Sequence, residues 1–160
     1  MIFGPPTGAS GRQAPAPSRR SALIVWAALL VGVLLFAAVA TVVGPEVRQG
    51  VPEDLAILVW IALALAIVNF LLSRILPGRM KTAAVQTPDG IAMARMIVAA
   101  ALNEGAALFC IVAWMLVGQP LVLVPFAVSI LGLLLAFPSE SRWRELSRVP
   151  GEARRTSLVR

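Results

Sequence analysis

The chain has 160 residues, of which 59% are hydrophobic and only 14% are charged, and its formal net charge is +6. This balance excludes an ordinary soluble domain. The sequence contains no histidine, no tyrosine and a single cysteine, so it lacks most of the side chains from which enzyme and zinc sites are built. We therefore expect an integral membrane protein that is not an enzyme and uses no metal or cofactor.

The apolar residues fall into four consecutive blocks. A helix rises ~1.5 Å per residue, so about 20 apolar residues cross a ~30 Å hydrocarbon layer. The pattern predicts an all-α fold, a four-helix transmembrane bundle within residues 21–138, with helices at about 22–43, 54–76, 91–117 and 120–137. The short alternating segments of a membrane β-barrel are not visible.

The first helix follows a Pro/Gly/Ser-rich stretch, so residues 1–20 are expected to form a disordered cytoplasmic N-terminus. Paired arginines precede its apolar run, and Ala38-Val39-Ala40 is similar to a signal-peptide cleavage site. The apolar region of a signal peptide usually has about 7–15 residues, and this one is longer. An uncleaved anchor is therefore expected, with cleavage as the alternative.

The connections between the later helices are rich in turn residues. Pro52 and two acids open the second helix, and Pro77-Gly78 is expected to end it. A longer polar link leads to the third helix. Only Gly118-Gln119-Pro120 separates the third helix from the fourth, which predicts a tight antiparallel hairpin.

The basic residues predict the orientation of the chain. They lie before the first helix, around the link between the second and third helices, and after the fourth (Arg12, Arg19, Arg20, Arg74, Arg79, Lys81, Arg142, Arg144, Arg148, Arg154, Arg155 and Arg160). By the positive-inside rule, both termini and this link are cytoplasmic, in a cytoplasmic or inner membrane. A nucleic-acid-binding patch is the alternative, but it would need basic and aromatic residues clustered on a folded domain.

Residues 139–160 are expected to form a basic cytoplasmic tail. The segment "SESRWRELSRV" can form a short surface helix capped by Ser139, or it can be disordered. In the helical case Arg142, Trp143 and Arg144 would contact anionic lipid headgroups. Arg95, at the start of the third helix, is expected to extend toward the same headgroups.

The third helix carries an acid in its apolar centre, within "MIVAAALNEGAALFCIV" (96–112). An ionisable residue at this depth costs roughly 2.5–3.5 kcal/mol on insertion scales, which makes Glu104 the main candidate site. Nine residues at about 100° each place Arg95 on the opposite face of the helix, so it should not pair with Glu104.

The rise per residue places three other polar side chains at about the depth of Glu104 (Asn69, Asn103 and Ser129). The hypothesis is a buried cluster of Asn69, Glu104 and Ser129, with Asn103 beside it. The alternative is that these side chains only hydrogen-bond helices together.

The same segment resembles the carboxylate-bearing helix of the c subunit (proteolipid) of F-type ATP synthases. The matching residues are Ala101, Leu102, Glu104, Ala107, Leu108 and Phe109, preceded by Met96, Ile97 and Val98. The resemblance implies that Glu104 binds and releases a proton. The sequence departs from the family in its alanine-rich preceding helix, in the link "PGRMKTAAVQTPDG" and in two additional helices.

Two functions are therefore carried forward. The first is a small inner-membrane protein that handles protons or ions through Glu104. The second is a non-transporting scaffold, or an assembly subunit of a larger membrane complex, in which Glu104 ties helices together. Pairs of small residues four positions apart favour close helix packing, within the chain or in a homo-oligomer (Ala28 and Gly32, Ala101 and Gly105, Gly132 and Ala136). The expected partners are the bilayer and another membrane protein, and not nucleic acid.

Overall fold

The structure is a computed structural model that describes residues 18–48, 55, 57–80 and 87–148. The regular structure of these residues is helical, without strands. The long helices are α1 (Arg19–Arg48), α2 (Ile57–Arg79) and α3 (Pro88–Val117). A 3₁₀ turn (Pro120–Val122) leads into α4 (Leu123–Leu135), and α5 (Glu140–Leu146) follows.

Three helices, α1 to α3, are long and apolar enough to cross a membrane. The segment of the 3₁₀ turn and α4 meets the same criterion only together with α5, from which it is bent by 82°. The expected membrane protein is thus supported by three spans. The fourth helix of the expected bundle, α4, is shorter, with 13 residues.

Some helix ends differ from the sequence prediction. The first helix begins at Arg19, inside the stretch expected to be disordered, and continues past Pro45. The prediction that Pro77 ends the second helix is wrong, because α2 includes it and ends at Arg79. Pro77 removes one i→i−4 hydrogen bond and its ring crowds the carbonyl of Ser73, and α2 continues for only two residues beyond it. The predicted disorder of residues 1–17 and of 149–160 lies outside the described residues.

The hairpin between α3 and α4 depends on one glycine. Gly118 has a φ of 70° and donates its backbone N–H to the Trp114 carbonyl at 2.8 Å. This left-handed conformation ends α3 at little cost for a residue without Cβ. Gln119 and Pro120 then start the next element, so the tight connection expected from the sequence is confirmed.

Helix α3 is the centre of the fold, because it packs against α1, α2, α4 and α5. Six of its twelve buried residues are alanines (Ala92, Ala99, Ala100, Ala106, Ala107 and Ala113). Small side chains let neighbouring backbones approach closely, which is how helices associate in lipid, where burial of apolar surface gives little gain. Alanines on several faces of α3 therefore allow several helices to surround it.

One buried polar contact fixes the distance between α3 and α4. Asn103 is buried and donates its Nδ2 to the Ala99 carbonyl at 2.8 Å. Its Oδ1 faces Gly132 of α4 so closely that a Cβ added at Gly132 would lie 1.9 Å from it. The pair Gly132 and Ala136 is buried, so these two small residues pack within the chain.

Helix α5 is capped at its start and joined to the bundle through Trp143. Ser139 caps it by accepting the Arg142 N–H at 3.3 Å, which confirms the helical alternative for this segment. Trp143 packs among Ala22, Met96 and Leu133, and its indole N–H donates to the Asp89 carboxylate at 2.9 Å. The carboxylate thus ties α5 to the first turn of α3.

Replacing Gly132 by alanine should destabilise the protein by about 1–3 kcal/mol, because the new methyl group would overlap the Asn103 amide in a packed interface. The measurement is the unfolding transition of the purified protein in detergent. Gly105→Ala is the matched control, since a Cβ there meets nothing within 4 Å, and it should be neutral or slightly stabilising. The double variant Asn103→Ala with Gly132→Ala should recover part of the loss. Equal effects of the two glycine substitutions would contradict the close contact.

Candidate functional site

Glu104 lies in a groove between α1 and α3, on the outside of the bundle. The groove has a volume of about 570 Å³ and is open along one side. Its other lining residues are apolar or glycine (Gly32, Phe36, Leu108, Phe109 and Val112). The carboxylate is half-buried. The site is thus one acid on an apolar surface near the middle of a membrane-length helix.

No basic side chain or hydrogen-bond donor reaches Glu104 within the part of the chain that the structure describes. As helical geometry predicts, Arg95 does not pair with it: the guanidinium is bonded elsewhere. A charged carboxylate in hydrocarbon needs a partner, and here the described residues supply none.

Several small residues are exposed on the surface around Glu104. Gly32 and Gly105 are both exposed, and a Cβ added at either would meet nothing within 4 Å. Ala28 and Ala101, one turn before each glycine, are exposed as well. Two of the three small-residue pairs found in the sequence therefore line the outer surface and do not pack inside the chain.

The structure does not join the expected polar cluster. Ser129 is buried and donates to the Pro125 carbonyl at 2.9 Å, with the Cys110 thiol as its other neighbour. Asn103 points to Gly132 on α4, and Asn69 is half-buried on α2. None of the hydrogen bonds found among the described residues links Asn69, Glu104 and Ser129. The rise per residue predicts a similar depth for these residues, but their side chains point in different directions around the helices.

Arg95 requires a correction. It was expected to extend to the lipid headgroups, but it is only 5% exposed. Its Nη1 donates to the carbonyls of Leu146 at 2.7 Å and Arg148 at 3.1 Å. The reason is that α5 packs against the start of α3, so the Leu146 carbonyl at its end and the Arg148 carbonyl just beyond it accept the guanidinium. A cation there suits the negative end of the helix dipole.

Trp143 also differs from its expected role as a surface anchor. It is 8% exposed and belongs to the core between α1, α3 and α4. Arg142 is half-buried, whereas Arg144 is exposed and pairs with Glu140 one turn earlier. Of the four expected anchors, Arg144 keeps an exposed position from which headgroup contact stays a prediction.

The side chains that line the groove support few kinds of chemistry. Among the described residues no group of three or more His, Cys, Asp or Glu side chains forms a metal site. The groove has one acid and no nucleophile or second acid beside it. Such a site can bind or release a proton, or accept a hydrogen bond or a cation, but its lining provides no pair for general acid–base catalysis.

Comparison of the chain with protein-family models, with curated proteins and with solved structures finds no match. The functional argument therefore depends on the chain's own residues. Ser73, which lines a separate cavity together with Arg95, was missed from the sequence, and Gly132 was expected to pack closely but without a named partner. Gly132 carried a signal in its spacing from Ala136, but its partner Asn103 is a contact between two helices that no local pattern indicates.

Arg95→Met should loosen α5, because it removes the two charge-assisted hydrogen bonds to the carbonyls of Leu146 and Arg148. The measurement is the rate of limited tryptic cleavage at Arg142, Arg144 and Arg148 in detergent, which should rise severalfold. Arg79→Met, an exposed arginine at the end of α2, is the control and should leave the rate unchanged. Equal cleavage rates for both variants would mean that the guanidinium does not hold α5.

Proposed function

We propose that the protein is a non-enzymatic integral membrane protein whose Glu104 binds and releases a proton at the surface of its helix bundle. The observation that carries the proposal is the position of this carboxyl, in an open apolar groove without a neutralising side chain among the described residues. A charged group at mid-membrane depth costs roughly 2.5–3.5 kcal/mol, so the neutral acid is the resting form. A cation or hydrogen-bond donor entering the groove would favour release of the proton.

The proposed arrangement in the membrane has four crossings. The fourth is the 3₁₀ turn with α4, from Pro120 to Leu135, which spans ~24 Å at helical rise. Helix α5 then turns to lie along the surface. Arginines are concentrated at the end of the bundle where α5 lies. Among the described residues, all except Arg48 are found there (Arg19, Arg20, Arg74, Arg79, Arg95, Arg142, Arg144 and Arg148). By the positive-inside rule this end is cytoplasmic, together with both termini.

The resemblance of the third helix to the c-subunit carboxylate helix supports the same role for Glu104. The resemblance also agrees with the proposed direction of α3, because the carboxylate helix of the family likewise begins on the cytoplasmic side of the membrane. The described structure adds the groove, which exposes the acid to lipid or to a partner. If Glu104 serves in transport across the membrane, the partner at this groove determines which species is moved.

Hydrophobic carbodiimide should label Glu104 in protein reconstituted into lipid vesicles, because the reagent partitions into lipid and reacts with a protonated carboxyl. Labelling should persist at neutral pH and fall as the pH is raised and the acid ionises. The measurement is peptide mass spectrometry after labelling across a pH series. Glu104→Gln should abolish the modified peptide.

A water-soluble carbodiimide supplies the internal control. It should label the exposed Glu145 and leave Glu104 unmodified, because it does not enter the hydrocarbon layer. Absence of Glu104 labelling by the hydrophobic reagent at every pH would contradict a titrating acid in lipid. Efficient labelling of Glu104 by the water-soluble reagent would contradict its placement in the membrane.

The exposed small residues favour a second candidate, assembly of the protein with a second copy of itself. Exposed small residues lie on both helices that form the groove, Ala28 and Gly32 on α1, and Ala101 and Gly105 on α3, and Gly32 also lines the groove. A surface with similar edges can pair with itself about a two-fold axis, with the two backbones in close approach. In this function Glu104 is a contact between copies, and its proton serves as a hydrogen-bond donor.

Gly105→Leu distinguishes this candidate, because it fills the groove edge without adding charge. If the groove joins two copies, the dimer fraction in bilayer discs or by crosslinking should fall at least severalfold. Val68→Leu, on the exposed face of α2, is the control and should leave it unchanged. A monomer in the wild type, or an undisturbed dimer in Gly105→Leu, would remove this candidate and leave the proton-binding role untouched.

A further inference from the structure

A second cavity lies at the arginine-rich end of the bundle, separate from the Glu104 groove. Its volume is about 460 Å³, within the range of small-molecule sites. The end of α2, the first part of α3 and helix α5 form its walls. Its polar lining residues are three arginines, one glutamate and two serines (Arg74, Arg95, Arg142, Glu145, Ser73 and Ser141).

Arg95 lines this cavity with donors that have no acceptor. Only its Nη1 is used, for the Leu146 and Arg148 carbonyls. Its Nε and Nη2 are buried and have no hydrogen-bond partner among the described residues. Buried donors of a charged group are costly to leave unpaired. A guanidinium held in place through one nitrogen, with two others free, is arranged to receive an acceptor.

The charges around the cavity point to an acceptor that is an anion. Three guanidinium groups face a single carboxylate, that of Glu145. The pKa of Arg142 is lowered by burial and by the charge of Arg74, and Glu145 only partly opposes this. Arginine remains charged despite such a shift, so the cavity has an uncompensated positive potential. Beyond Arg148 the sequence carries three more arginines and one glutamate, which does not reverse this sign.

We propose that the cavity formed by Arg74, Arg95 and Arg142 binds a phosphate group. Guanidinium donors match phosphate oxygens in geometry and in charge. Ser73 and Ser141 place hydroxyl groups on the same lining, and the apolar part is formed by residues such as Met96, Ala99 and Ala136. A phosphate there would neutralise the three arginines, and a small shift of the buried Arg95 guanidinium would bring its unpaired Nε and Nη2 donors to the phosphate oxygens.

The phosphate has two possible sources, a lipid headgroup or a free phosphate. The cavity lies at the end of three helices, where the proposed membrane surface and its anionic headgroups are found. The volume accommodates a phosphate with part of its carrier. Bound phosphate would link α2, α3 and α5, so the helix that Arg95 holds by its carbonyls would be further fixed to the bundle.

The experiment uses the full chain in a non-ionic detergent and follows its thermal unfolding midpoint. One arm titrates inorganic phosphate against chloride at equal ionic strength, which removes simple screening. The other arm places the protein in bilayer discs of phosphatidylcholine with or without phosphatidic acid. A ligand that binds the folded state raises the midpoint in proportion to its affinity.

Arg142→Gln is the test variant, because its guanidinium lines the cavity and holds no contact on which α5 depends. It should weaken phosphate binding by about tenfold or more, the effect of losing one charge-assisted hydrogen bond. Arg79→Gln is the matched control: it makes the same change of charge on an exposed side chain at the end of α2, outside the cavity. It should change binding less than about twofold, as expected of an exposed charge.

Stabilisation by phosphatidic acid but not by inorganic phosphate, lost in Arg142→Gln, supports the proposal with a lipid headgroup as the source. Stabilisation by inorganic phosphate, lost in the same variant, supports it with free phosphate as the source. The proposal is overturned if phosphate does not stabilise the protein relative to chloride and phosphatidic acid does not stabilise it relative to phosphatidylcholine alone. Equal losses in Arg142→Gln and Arg79→Gln also overturn it, because they would show general attraction to a basic surface.

Discussion

Close packing on the alanines of α3 is the constraint on which the rest of the structure depends. In lipid, helices gain little from burying apolar surface, so contact between backbones and small side chains must hold them together. Helix α3 offers small residues on several faces, and every other helix contacts it. The direction in which each of its polar residues points then follows from which neighbour lies on that face.

Three polar residues of α3 illustrate this consequence. Asn103 faces α4, where Gly132 leaves just enough room for its amide. Glu104, one residue later, is turned by about 100° and emerges in the open groove beside α1. Arg95 faces α5 and a cavity at the end of the bundle. Helix α3 thus carries three separate features: a packing contact with α4, an acid in an open apolar groove and an arginine in a cationic cavity.

The sequence was sufficient to predict the class of the fold and the positions of most helices, because apolar length and turn residues are local signals. It predicted the hairpin at Gly118 and the cap at Ser139 for the same reason. It placed Pro77 wrongly, because α2 continues for two residues beyond the proline and hydropathy alone does not locate that end. Depth along the membrane could be counted, but the face on which a residue lies relative to other helices could not. Arg95 shows the difference: it was expected to reach headgroups, and α5, more than 40 residues further on, covers it instead.

The central functional claim is that Glu104 is a neutral acid in lipid. Infrared difference spectroscopy of the wild type against Glu104→Gln, in bilayers at neutral pH, tests it most directly. The prediction is a carbonyl stretching band of a protonated carboxylic acid that is present in the wild type, absent in the variant, and lost as the pH is raised. A difference spectrum that shows only carboxylate bands at neutral pH would contradict the claim and indicate that a cation pairs with Glu104.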